Sequence, residues 1–94
     1  MKITGIIWLE DIVEKLRRKH GVREHEVTEV LNNRPQFFFI EKGHRKKEDV
    51  YLALGRTDAG RPLALFFIYK QSKQALIVSA REMTSPERKR DERK

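Results

Sequence analysis

Gln74-Ala75-Leu76-Ile77-Val78-Ser79-Ala80-Arg81-Glu82 runs on through Met83-Thr84 into Ser85-Pro86-Glu87, after which nearly every residue is charged. The unbroken apolar run over residues 75–78 reads as a buried strand that delivers Arg81 to the start of a helix. Thr84, with Glu87 three residues later, forms a capping box: the hydroxyl accepts from a free backbone N–H while the carboxylate reaches back to the cap. Pro86 agrees, because proline is tolerated in the first turn of a helix. Beyond it, Arg88, Lys89, Arg90, Arg93 and Lys94 crowd the last turns, where cations complement the helix dipole and can equally meet phosphate. A solvated, fraying end to the chain explains the same charges.

Working outward, 94 residues suffice for one domain over residues 1–94 with a modest core. The absence of cysteine removes a disulfide framework and a thiolate metal site, and fits a reducing compartment. No apolar run approaches bilayer-spanning length and the N-terminus lacks a signal-peptide core, so the expectation is a soluble cytoplasmic protein with no membrane partner. Twenty-one lysines and arginines against 14 acidic residues give a net charge of +7, which favours a polyanionic partner, either nucleic acid or an acidic protein. The charge is clustered. Residues 15–23 hold Lys15, Arg17, Arg18, Lys19 and Arg23, and residues 42–47 hold Lys42, Arg45, Lys46 and Lys47, with no acid in either stretch.

Upstream, residues 3–8 form a short apolar lead-in or first strand. Leu9, Ile12, Val13 and Leu16 then recur at helical spacing, with acids at the start, bases at the end and Gly21 as the stop. A second helix carries Val27, Val30 and Leu31, with Glu26 at the reciprocal capping position, and closes at Asn33-Arg34-Pro35. Residues 36–41, with Phe37, Phe38 and Phe39, read as a strand, followed by alternating residues 49–55 and by residues 63–69 after a turn at residues 56–61. The expected fold class is therefore α+β: an antiparallel four- to five-stranded sheet with two N-terminal helices and a short C-terminal helix. The two most apolar strands, over residues 63–68 and 75–78, should be central with both faces covered.

Lys19-His20-Gly21-Val22, Leu54-Gly55-Arg56-Thr57, Gly60-Arg61, and Ile77-Val78-Ser79-Ala80-Arg81 followed by Thr84 and Glu87-Arg88 form an ordered set over most of the chain. Together they resemble the BrnT toxins of bacterial type II toxin-antitoxin systems. The resemblance implies a RelE-like fold and a metal-independent ribonuclease, without cofactor, that cuts RNA and arrests translation. It also implies a BrnA-like antitoxin encoded nearby, which neutralises the toxin and represses the shared operon, typically within a heterotetramer. The chain departs from the pattern at Glu82, where lysine is common, and at Ser85-Pro86, often basic; both changes remove cations from the expected RNA face.

Cutting RNA without metal requires a deprotonated 2'-hydroxyl, a neutralised phosphorane and a protonated leaving oxygen. Arg81 suits the middle task, because a guanidinium binds two phosphate oxygens and keeps its proton; an ion pair with Glu82 or Glu87 is the structural alternative. His20 is the natural proton carrier, since an imidazole titrates near neutrality, although a helix C-terminus also attracts histidine as a cap. Glu87 is a candidate base whose capping role already accounts for it. Arg56, Arg61, Lys19 and Arg88 are the candidate RNA-binding residues, Arg56 and Arg61 being equally readable as ordinary solvated turn charges. Tyr69 and the Phe37–Phe39 run are better explained by packing or partner contact than by base stacking. His20, His25 and His44 lie on different elements without metal-ligand spacing, so no metal site is expected. The rival to an enzyme is a catalytically inactive relative of the same fold that only binds nucleic acid or its partner.

Overall fold

A computed structural model describes residues 1–43 and 48–93. Most of the basic stretch at residues 42–47, with His44, and the final Lys94 thus lie outside the described residues. The chain runs β1 (Gly5–Ile7), α1 (Glu10–Lys15) continued by a π-helical turn (Leu16–His20), α2 (Glu24–Asn32), β2 (Gln36–Glu41), β3 (Val50–Arg56), β4 (Pro62–Tyr69), β5 (Gln74–Glu82) and α3 (Ser85–Glu92). The strands make one five-stranded sheet in the order β1-β5-β4-β3-β2.

β2 to β5 form the antiparallel meander that alternation and turn chemistry predict. β1 differs: it pairs parallel to β5, with Ile6 opposite Ala75, so the sheet is mixed rather than antiparallel throughout. The cause is the helical hairpin between β1 and β2, which lets the meander return to β1 running in the same direction. Nothing in the three residues Gly5-Ile6-Ile7 announces that partner. The Tyr69 hydroxyl, donating to the Lys2 carbonyl, and Thr4 N–H, donating to Lys73 O at 2.9 Å, fix the lead-in beside the β4–β5 turn.

The helix face of the sheet is buried and the opposite face only in part: Leu54 and Ala64 are covered there, while Phe66, Ile68 and Leu76 stay half-buried. On one face, Ala53, Leu63, Leu65, Phe67, Ala75, Ile77 and Ala80 pack against Leu16, Val27 and Val30 of the helices and Val22 between them. Leu9 is 49% exposed at the position before α1, so the apolar stripe begins at Ile12. Gly21, at φ +62°, ends the helix with its N–H on Arg17 O and Val22 N–H on Leu16 O. On the opposite face, Leu52, Leu54, Ala64 and Met83 form a smaller cluster flanked by Phe38 and Phe66. α3, which lies across β3 on this side, reads Ser-Pro-Glu-Arg-Lys-Arg-Asp-Glu and has no aliphatic or aromatic side chain beyond its proline ring. It is held instead by Arg56 Nε on Asp91 Oδ2 at 3.1 Å and by the Arg90 guanidinium 4.0 Å from the centre of the Phe38 ring. Among the described residues no helix is long and apolar enough to cross a membrane.

α2 sits so close to β3 that a Cβ on Gly55 would meet Pro35 Cβ at 2.9 Å and Val30 Cγ1 at 3.0 Å. Gly55→Ala therefore forces the helix off the sheet, and the expected loss is about 1–3 kcal/mol. Thermal denaturation checks this as a fall in Tm of at least about 4 °C; an unchanged Tm would show that the approach is looser than described.

Candidate functional site

One extra residue in β5 decides which way Arg81 faces. Phe66 pairs with Ser79 but Phe67 pairs with Ile77, leaving Val78 without a partner on β4. Side chains alternate along a strand, so an unbroken β5 would put Ile77 and Arg81 on the same face; the bulge reverses the phase between them. Ile77 and Ala80 thus join the core beneath the helices, while Arg81, opposite Ala64, emerges on the α3 face. Glu82 is turned to the helix face by the same step.

Arg81 meets Glu87 end-on, with Nη1 on Oε1 at 2.7 Å and Nη2 on Oε2 at 3.0 Å. This is the bidentate fork that fits carboxylate and phosphate alike. Nη1 also donates to the Glu82 carbonyl at 3.2 Å, and the guanidinium carbon lies 5.3 Å from the centre of the Phe66 ring. The Arg81 side chain stays 32% exposed, although its fork is filled by Glu87. Glu87 in turn accepts the Thr84 N–H at 2.8 Å, completing the capping box at the start of α3. The hydrogen bond from Arg81 holds the Glu87 carboxyl below its ordinary value despite partial burial. The same bond, again outweighing burial, raises the Arg81 guanidinium above its own. A carboxylate stabilised in this way is a weak proton acceptor.

Arg61 occupies the other face at the same end of the sheet. Its Nη1 donates to the Gly21 carbonyl at 2.8 Å and to both Glu26 oxygens at 3.1 Å. Its Nη2 donates to the His20 carbonyl at 3.2 Å, and Nε donates to Glu82 Oε2 at 3.1 Å. Arg61 thus fastens the end of the first helix and the start of α2 to the sheet. Burial acts to raise the Glu26 carboxyl, but hydrogen bonds from the Arg23 N–H and from Arg61 outweigh it, and its pKa lies below the ordinary value.

The seven candidate residues therefore fall into two groups. Arg81, Glu87, Arg56 and Arg88 belong to the α3 side, Arg56 being tied to that helix through Asp91. Arg61, His20 and Lys19 belong to the helix side, with His20 and Lys19 exposed. The groups touch where Arg81 and Arg61 both bond Glu82, one through its carbonyl and the other through its carboxylate. Sequence reasoning missed Glu26 and Asp91, the carboxylates that occupy Arg61 and Arg56. Glu26 was visible only as a cap, and nothing in local spacing marks Asp91.

Glu26 and Glu87, with lowered folded values, stabilise the fold above the ordinary glutamate pKa near ~4.3, and that contribution is lost as pH falls through the folded values. Tm measured from about pH 6 to about pH 3 should therefore fall, and should fall less steeply in Glu87→Gln, which has no carboxylate to protonate there. An equal fall in both proteins would contradict this role for Glu87.

The family described as ribonuclease toxin, BrnT, of type II toxin-antitoxin system matches residues 8–87. Among solved structures, the crystal structure of the Brucella abortus ribonuclease toxin BrnT aligns with TM-score 0.66 at 21% identity, covering 89% of this chain and 100% of that one. No curated protein gives a sequence match. The structural likeness carries the α+β fold, and the family match includes every candidate residue except Arg88. On that match, the chain belongs to the BrnT family of ribonuclease toxins of type II toxin-antitoxin systems.

Proposed function

We propose that the protein is an active endoribonuclease that cleaves RNA without a metal ion, by in-line attack of the 2'-hydroxyl on the adjacent phosphate, and so inhibits translation. The observation that carries this reading is Arg81 at the end of β5, a part-exposed guanidinium that already grips a two-oxygen anion end-on. There it neutralises the charge that grows on the phosphorane, the task for which a fixed guanidinium is best suited. His20 moves the proton. Arg61 positions it by holding the His20 carbonyl, Arg56 steadies α3 beneath the RNA backbone, and Lys19 and Arg88 supply attraction along the strand. A BrnA-like antitoxin encoded nearby covers this basic surface in a heterotetramer, and the protein acts in the cytoplasm.

The second reading, a relative that binds but does not cleave, is favoured by the carboxylates already seated on Arg56, Arg61 and Arg81. Incubating the purified protein with messenger RNA in EDTA separates the two. Cleavage should persist in EDTA and fall at least about 100-fold in Arg81→Ala and in His20→Asn. Salt-sensitive binding with no cleavage selects the second reading. Cleavage at full rate by Arg81→Ala would remove Arg81 from the mechanism.

A further inference from the structure

A guanidinium does not distinguish strongly between a carboxylate and a phosphate: both offer two oxygens at the spacing of its two terminal nitrogens. In the free protein Arg81 already holds such a pair, Oε1 and Oε2 of Glu87, at 2.7 and 3.0 Å. The only other acceptor described on that guanidinium is the Glu82 carbonyl at 3.2 Å, a backbone group that cannot leave. A phosphate that takes the same end-on fork of Nη1 and Nη2 therefore does so only where Glu87 now sits.

Glu87 is also built to leave. Its helix carries no aliphatic or aromatic side chain beyond Pro86 and is held by Arg56–Asp91 and by Arg90 over Phe38. If its side chain swings away, Glu87 surrenders two bonds to Arg81 and one to the Thr84 N–H, and the donors it leaves behind all suit an anion.

We propose that Glu87 is an internal stand-in for the RNA phosphate: it occupies the Arg81 fork in the free toxin, and substrate binds by displacing it. Resting on the reading of Arg81 given above, this makes Glu87 a competitor that sets substrate affinity, not the group that accepts the proton. Removing its charge should tighten RNA binding, whereas removing a general base would slow turnover.

The test uses the full chain and a single-stranded oligoribonucleotide with 2'-O-methyl riboses, which offers phosphates but no attacking hydroxyl. Affinity is measured over a salt series for the wild type, Glu87→Gln, Arg81→Ala and Glu92→Gln. Gln at this helix position keeps the reciprocal capping bond, so the first variant should fold, which circular dichroism verifies. Glu87→Gln is expected to bind roughly three- to tenfold tighter, the range for a partly exposed ion pair. The slope of log affinity against log salt should steepen by about 0.7, because one guanidinium no longer exchanges one anion for another. Glu92→Gln makes the same charge change on an exposed side chain of the same helix and should gain less than about twofold. On cleavable RNA, KM should fall in Glu87→Gln with kcat nearly unchanged.

An equal gain in Glu92→Gln would reduce the effect to net charge and overturn the proposal. A collapse of kcat in Glu87→Gln at constant KM would also overturn it, by making Glu87 the proton acceptor. Weakened binding in Arg81→Ala together with wild-type binding in Glu87→Gln would overturn displacement alone. Wild-type binding in Arg81→Ala would overturn both this proposal and the role of Arg81 beneath it.

Discussion

The unpaired Val78 in β5 is the constraint on which the arrangement of the site depends. A single added residue inverts the phase of the strand, so that the same ribbon buries Ala75, Ile77 and Ala80 against the helices and then turns Arg81 to the far side. Without that inversion Arg81 would point into the helical core and Glu82 would face α3. The sheet would survive the change; the pairing of Arg81 with Glu87 would not.

The second constraint is that β4 and β5 are apolar on both faces. The N-terminal helices and their connection satisfy one face with Leu16, Val22, Val27 and Val30. The other is left in part to a helix whose proline ring is its one apolar side chain, and which stays in place through Asp91, Arg90 and Glu87. A cover held by charge is more sensitive to salt and to competing anions than one held by burial. The requirement that α3 lie over the sheet and the suitability of Arg81 for phosphate are thus one fact, because Glu87 serves both.

Much of this was legible from the residues. The apolar run over residues 75–78 reads directly as the interior strand, Thr84 and Glu87 as the start of α3, and Gly21 as the end of the first helix, because each signal is local. The parallel pairing of β1 was not legible, since Gly5-Ile6-Ile7 has neither length nor alternation to declare a partner. Nor were the partners of Arg61 and Arg56: a chain with 21 basic and 14 acidic residues offers many pairings, and Glu26 and Asp91 are chosen by topology rather than spacing. The bulge, too, left no mark in Ile77-Val78-Ser79, so the face on which Arg81 emerges had to come from the structure.

The central claim is that the Arg81 guanidinium is the point at which this protein meets an RNA phosphate. The most direct measurement follows the Nε–H NMR signal of Arg81 as an uncleavable oligoribonucleotide is titrated into the protein. The account predicts a saturable shift of that signal, tracking the binding isotherm, with a smaller response at Arg61, whose donors are committed to Glu26, Glu82 and the helix end. An Arg81 signal that stays in place while backbone amides elsewhere report binding would contradict it.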